Sequence, residues 1–307
     1  MIITVTLNAA IDKSLSVPSF RLGRRHRTVE RRALAGGKGV NIARTLKTLG
    51  LPVIATGFQG GPTGTQIVAQ LSEESRTNTS VLDPTTGEQT EINEQGPSVE
   101  TDEIEQFREK LLYLARGAAI VVFAGSLPRG IDPDFYAQLV RAVHKLDVMT
   151  VVDTDGEALR LAVRAEPDVV SPNVVEAEEL VGHEFNDDDD YPAAVREIVS
   201  LGARSAIMTT RDGCWAQMLV DGAPHGFRVT VPQQESVAAI GSGDAFLAGF
   251  VAARYRASSP EECLRFGVAC GAESTGRLGA GLIDVRAVDR LLADVAASEV
   301  EAPAGVG

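Results

Sequence analysis

Over most of the chain, short apolar runs rich in β-branched residues alternate with longer stretches of helical periodicity, and few folds accommodate that pattern. Strands that are apolar on both faces belong inside a parallel sheet, and parallel neighbours need crossover helices. The pattern therefore predicts an α/β fold with a mainly parallel sheet covered by helices. Strands are expected at 2–7, 53–56, 119–123, 149–153, 168–170 and 205–208, and helices at 38–49, 63–73, 102–115, 133–145, 174–181 and 192–201. Asp132-Pro133 reads as an N-cap followed by proline at the first helical position, and Gly50, Gly117 and Gly202 follow the last helical residues. From 244 to 297 three more helices are expected, broken at Ser258-Ser259 and at 278–283, with Ser259-Pro260-Glu261-Glu262 as a capping box.

Two stretches, 8–32 and 75–97, break the rhythm. The second turns at Asp83-Pro84-Thr85-Thr86-Gly87 and reads as a β-hairpin. Together they are read as a small β lid of residues 9–32 and 75–97, with 1–8, 33–74 and 98–307 forming the main α/β domain. The join between the helix ending near Glu74 and the strand beginning near Arg76 is shorter than usual for two elements, as it would be if a lid segment were missing. The acidic run Asp187–Asp190 is read as a solvated loop.

With 44% apolar residues in 307, the chain can bury a substantial core. Its net charge of −13 disfavours nucleic acid and anionic membranes as partners. No apolar stretch approaches a membrane-spanning length, so a cytoplasmic enzyme is expected. The exception to the acidic field is RLGRRHRTVERR, where Arg21, Arg24, Arg25, Arg27, Arg31 and Arg32 crowd together and could hold a small anion. Cys214, Cys263 and Cys270 lack metal or redox spacing and read as small buried hydrophobes. The four histidines are scattered, and no transition-metal site is indicated.

Chemistry is most legible at Gly241-Ser242-Gly243-Asp244, which opens a helical pattern. The glycines let backbone N–H groups turn toward one point, and the following helix adds the positive end of its dipole, which makes an anion site. Asp244, in the first turn, could take a proton from an attacking hydroxyl while those N–H groups stabilise a phosphoryl group in transfer. A glycine pair before a helix is more often only a tight turn, so other features have to decide.

Those features lie along the whole chain. Gly241–Gly249 resembles the C-terminal signature of the ribokinase-like carbohydrate kinases, the PfkB family. Thr6-Leu7-Asn8-Ala9-Ala10-Ile11-Asp12-Lys13 and Gly36–Arg44 resemble the N-terminal sugar-binding segments of its 1-phosphofructokinase and tagatose-6-phosphate kinase branch. Gly125–Gly130, Asn173–Glu176 and Ser75–Asn78 match in the expected order. The resemblance implies a ribokinase-like three-layer sandwich with a β lid. It further implies ATP-dependent phosphorylation of a ketohexose monophosphate, with Mg²⁺ as cofactor and Asp244 as general base beside an anion hole of Gly241, Ser242 and Gly243.

On the same resemblance Asp12, Gly37 and Asn41 bind sugar hydroxyls, while Lys38 either neutralises phosphate or is solvated. Arg76, helped by Arg25, Arg27 and Ser126, takes the phosphate already on the substrate. Asn173, Thr209, Arg211 and Gly213, with Gly241 and Gly243, contact the nucleotide, and Glu176 acts on the metal through water. Fructose 1-phosphate is the favoured substrate, with tagatose 6-phosphate and fructose 6-phosphate as alternatives. The lid sheet offers a face or edge for a homodimer.

The chain departs from the family pattern where Ser171-Pro172-Asn173 replaces Lys-Pro-Asn, removing a cation expected near the nucleotide phosphates. Arg211 stands where a small residue is usual, and Ala238-Ala239 replaces a polar–proline pair. These differences keep a second reading open, a sugar-phosphate or nucleotide sensor without efficient transfer. A nicotinamide oxidoreductase fails at the first strand, because Asn-Ala-Ala-Ile-Asp follows Leu7 in place of a glycine-rich turn.

Overall fold

The computed structural model describes residues 1–60, 75–232 and 240–300. The helix expected at 63–73, the join at Glu74 and Ala238-Ala239 lie outside them. Six parallel strands form the centre of the molecule: β1 (Ile2–Thr6), β4 (Val53–Gly57), β7 (Ile120–Ala124), β8 (Met149–Asp153), β9 (Val169–Val170) and β10 (Ala206–Thr210). Every residue of β1 and β7 is buried; β7 reads as an unbroken apolar run, and β1 buries Thr4 and Thr6 among its apolar residues. Ile3 and Val5 enter one hydrophobic core and Ile2 the other, as the two-residue repeat of a strand requires.

Helices cover both faces. On one lie α1 (Lys38–Thr48), α7 (Ser242–Tyr255), α8 (Pro260–Ser274) and α9 (Val285–Leu292), contributing Ile42, Leu46, Phe250, Leu264 and Val288. On the other lie α2 (Thr101–Ala115), α3 (Phe135–His144), α4 (Gly156–Val163), α5 (Val174–Val181) and α6 (Tyr191–Ser200), contributing Phe107, Tyr136, Leu159, Leu180 and Ile198. Helix α7 is buried continuously from Asp244 to Ala253, as a helix apolar all round must be. It approaches α8 closely at Gly249, where an added Cβ would lie 2.8 Å from Cys270 Sγ. All three cysteines are buried free thiols.

The sequence reading missed one edge of this sheet. β11 (Gly213–Val220), β12 (Ala223–Thr230) and β13 (Ala296–Val300) extend it antiparallel, in the order β13-β12-β11-β10-β9-β8-β7-β1-β4. The last expected helix therefore stops at Leu292, and Ala296-Ala297 pair with Thr230 and Val229 in a strand. Asp132 is not a helix cap either. α3 begins at Phe135, whose N–H bonds Asp132 O in a preceding turn. The acidic run forms a short 3₁₀ turn at Asp188–Asp190 in which Asp187 accepts from the Asp189 N–H.

The second sheet holds β2 (Ala10–Ser16), β3 (Glu30–Gly36), β5 (Arg76–Leu82) and β6 (Gln89–Asn93) in the order β3-β2-β5-β6. Its central pair is parallel and its outer pairs antiparallel. The expected hairpin is β5–β6, and β3 carries this sheet past residue 32 to Gly36. The Asp83 carboxylate binds the turn to the first lid segment by accepting from the N–H groups of Ser19 at 2.9 Å and Phe20 at 2.7 Å. Among the described residues no helix is long and apolar enough to cross a membrane.

Candidate active site

A cavity of about 880 Å³ opens where the C-terminal ends of the parallel strands meet the second sheet. Ligand sites of open α/β sheets lie at that end because the loops leaving the strands converge there. Asn8 follows β1, Ser126 follows β7, Asp153 ends β8, Ser171 follows β9 and Thr209 lies on β10; the lid side supplies Asp12, Arg76 and Asn78.

The N-terminus of α7 faces this space. Its N-cap, Gly241, has a φ of 80°, and an added Cβ there would lie 2.5 Å from Ala280 Cβ, so glycine is required on both counts. A Cβ at Gly243 would meet nothing within 4 Å, which leaves the first-turn backbone open to a ligand. Asp244 is 6% exposed and accepts a 2.8 Å hydrogen bond from Asn41 Nδ2. Burial, reinforced by the Asp153 charge, pushes its pKa up to about 7, against the pull of Lys38 and the Asn41 hydrogen bond.

Lys38 is half-buried and ion-paired. Its ammonium lies 2.7 Å from Asp153 Oδ1 and 3.4 Å from Glu176 Oε1. Burial opposes its charge, but Asp153, Glu176 and Asp244 together hold its pKa well above the ordinary lysine value. Burial likewise raises the pKa of Glu176, against Lys38. Asn173 and Glu176 form a reciprocal capping box at the start of α5: Glu176 N–H donates to Asn173 Oδ1 at 3.0 Å and Asn173 N–H to Glu176 Oε2 at 2.9 Å. One Glu176 oxygen thus serves the helix and the other faces Lys38.

On the lid side, Arg76 donates from Nε to Asn8 O at 3.2 Å and from a terminal nitrogen to Glu94 O at 3.1 Å. Asn8 Nδ2 donates to Ser126 Oγ, so Arg76 and Ser126 are tied through one residue. Asp12 and Asn78 are register partners across β2 and β5, and Asn78 Nδ2 donates to Asp12 Oδ1 at 3.0 Å. Asn78 Oδ1 is buried without a hydrogen-bond partner. Gly37, with a φ of 100°, leaves only 2.7 Å between an added Cβ and Thr6 Cγ2.

The cavity therefore collects Asp12, Gly37, Lys38, Asn41, Arg76, Ser126, Asn173, Glu176, Thr209, Arg211, Gly213 and Gly241–Asp244 from the sequence reading. Arg25 and Arg27 are not among them; both are exposed between β2 and β3. Sequence reasoning overlooked Asp153, Asn8 and Asn78. A carboxylate ending a parallel strand was the available signal for Asp153, whereas Asn8 and Asn78 are visible only through their contacts.

The arrangement combines a helix N-terminus open to the cavity, a buried carboxyl group beside it and a separate guanidinium. A family model for pfkB family carbohydrate kinases matches residues 5–286. The chain belongs to the pfkB family of carbohydrate kinases. Membership carries the ribokinase-like fold and the activity class, an ATP-dependent sugar kinase. The chain is 31% identical to a tagatose-6-phosphate kinase of Staphylococcus epidermidis, over 98% of this chain and 100% of the relative. It is 30% identical to a 1-phosphofructokinase of Borreliella burgdorferi, over 98% and 99%. The solved structure of phosphofructokinase-2 from Escherichia coli in complex with substrates and products matches with a TM-score of 0.86 and 30% identity, over 95% of this chain and 98% of that one. In this pfkB kinase, the missing lysine of the Lys-Pro-Asn pattern leaves Ser171 buried on the cavity wall, and Arg211 lines the same cavity.

Proposed function

We propose that this kinase transfers the γ-phosphoryl group of MgATP to a primary hydroxyl of a ketohexose monophosphate, with fructose 1-phosphate as substrate and fructose 1,6-bisphosphate as product. The observation that carries the proposal is Asp244, an acid pushed up to about 7 and located in the open first turn of α7. A base with a pKa near the working pH is both deprotonated and strong enough to accept the hydroxyl proton.

In this reading Asp12, Gly37 and Asn41 hold the sugar, and Asn78 Oδ1 offers a buried acceptor to a further hydroxyl. Arg76 and Ser126 take the phosphate already present, and Arg76 selects phosphorylated substrates because a guanidinium fork matches phosphate oxygens. Asp244 removes the proton from the attacking oxygen. The N–H groups around Gly241, Ser242 and Gly243 stabilise charge on the phosphoryl group as it moves. Thr209, Arg211, Gly213 and Asn173 bound the nucleotide side.

The donor set suits a hydrated magnesium ion carried by the nucleotide. Among the described residues no cluster of three or more His, Cys, Asp or Glu could hold a metal directly. The Glu176 oxygen that faces Lys38 and the Asp153 carboxylate would meet the ion through its waters. When bound, the ion supplies charge neutralisation for the β- and γ-phosphates.

The relatives named above include both a tagatose-6-phosphate and a fructose-1-phosphate type of kinase. The preference for fructose 1-phosphate rests on the Thr6–Asp12 and Gly36–Asn41 segments. The enzyme is proposed to be cytoplasmic, with the lid sheet as its face for a homodimer. The test is coupled ADP release with fructose 1-phosphate, fructose 6-phosphate and tagatose 6-phosphate. The highest kcat/KM is expected for fructose 1-phosphate. Another preferred sugar overturns the substrate, and binding without turnover of any of the three makes the chain a sensor.

A further inference from the structure

Asn41 touches the proposed base, and its own orientation depends on a neighbour. The amide has one accepting end and one donating end, and reversing it barely changes its shape. Toward Asp244 it directs Nδ2, at 2.8 Å from Oδ2. Toward Arg44, one turn along α1, it directs Oδ1, which accepts from a guanidinium nitrogen at 2.9 Å. Arginine can only donate and an ionised carboxylate can only accept, so the amide between them has a single satisfactory orientation.

The same guanidinium reaches two other parts of the molecule. The nitrogen that serves Asn41 also donates to Ala280 O at 2.8 Å, and the other terminal nitrogen donates to Ala35 O. Ala280 lies in the 275–284 segment that meets Gly241, the N-cap of the catalytic helix. Ala35 lies in β3 of the lid sheet. Gly281 packs against this junction so closely that an added Cβ would come within 2.5 Å of Asn41 O and 3.0 Å of the Arg44 guanidinium. A lysine could not serve three acceptors in these directions.

We infer that Arg44 is a positioning residue of the transfer reaction: it sets the Asn41 amide so that Asp244 always meets a donor, and it ties that setting to the lid and to the segment holding Gly241. The inference rests on the reading of Asp244 as base. Without Arg44 the amide is free to reverse and offer its oxygen to a protonated Asp244, which favours the form that cannot accept a proton. Asp153, Lys38 and Asp12 also bear on Asp244, and Arg44 itself acts on it by charge as well as through the amide, so Arg44→Lys, which keeps the charge and loses the fork, is assayed beside Arg44→Met to separate the two.

The test compares kcat and kcat/KM against pH for the wild type, Arg44→Met, Asn41→Ala, their double variant and Arg44→Lys, with melting curves for each. Arg44→Met is expected to move the acid limb of kcat/KM upward by roughly 0.5 to 1 pH unit and to lower kcat at pH 7 about tenfold. Asn41→Ala should move the limb by a similar amount. The double variant should move it no further than the larger single, because both act through one amide. An unmoved limb in Arg44→Met, or additive shifts in the double variant, overturns the inference. In Arg44→Lys the limb is still expected to rise, whether or not Arg44→Met folds; a limb at the wild-type position overturns the inference there too. Asp244→Asn is assayed alongside. Full turnover in that variant means that the base was misassigned, whatever Arg44 does.

Discussion

At the scale of single residues, the base proposed at Asp244 would concentrate function and instability in one carboxylate. Asp244→Asn keeps the shape and the neighbours but cannot accept a proton. It should lower kcat by about 10²- to 10⁴-fold with little change in sugar-phosphate binding, measurable by steady-state kinetics and calorimetry. Because burial pushes the wild-type acid up to about 7, kcat/KM should rise with pH through a limb near that value. The stability effect has the opposite sign. The folded pKa lies above the unfolded one of about 4, so the fold binds the proton more tightly and loses stability as pH rises from about 4 through 7. Asp244→Asn should therefore melt above the wild type at pH 8, with the difference disappearing near pH 4 in thermal scans. Arg76→Ala should raise KM for the phosphorylated sugar while leaving KM for ATP near its original value. An unchanged sugar KM would remove Arg76 from phosphate recognition.

At the scale of elements, local signals succeeded where the cause of structure was local. The Ser259–Glu262 capping box is present at α8, with the Ser259 N–H bonded to Glu262 at 2.8 Å and the reciprocal contact at 3.3 Å. Ser259→Ala should destabilise the protein by about 1 kcal/mol without altering kcat, readable as a lower denaturant midpoint. Asn173 and Glu176 carry the same spacing, and there one motif caps a helix and presents a carboxylate to the cavity. The missed hairpin had a signal, since Asp221-Gly222 joins β11 to β12 with φ values of 50° and 82°. β13 had none: Ala-Ala-Ser-Glu-Val has little strand character and becomes a strand by pairing with β12. The α7–α8 contact at Gly249 is also invisible from sequence, because the spacing predicts a helix but not which neighbour touches it. Gly249→Val should cost about 1 to 3 kcal/mol through overpacking against Cys270, measurable by urea unfolding.

At the scale of the whole molecule, an acidic chain of net charge −13 gathers Lys38, Arg76 and Arg211 around one cavity. Anionic substrates are thus received locally while the overall field keeps other polyanions away. The lid contributes Asp12, Arg76 and Asn78, so a bound sugar phosphate should order it. Hydrogen exchange of β2 and β5 should slow on adding fructose 1-phosphate while β7 and β8 stay unchanged, and Arg76→Ala should abolish most of that protection. Apolar periodicity was enough to determine the parallel sheet, its helical layers and the lid hairpin, because burial on both faces and turn chemistry act over a few residues. Gly241 to Asp244 was legible for the same reason, as a turn and a helix start within one segment. The setting of Asp244 came only with the tertiary structure. Asn41, Arg44, Lys38 and Asp153 reach it from α1 and β8, far away in sequence, and a pKa follows from distance and burial, which no local pattern encodes.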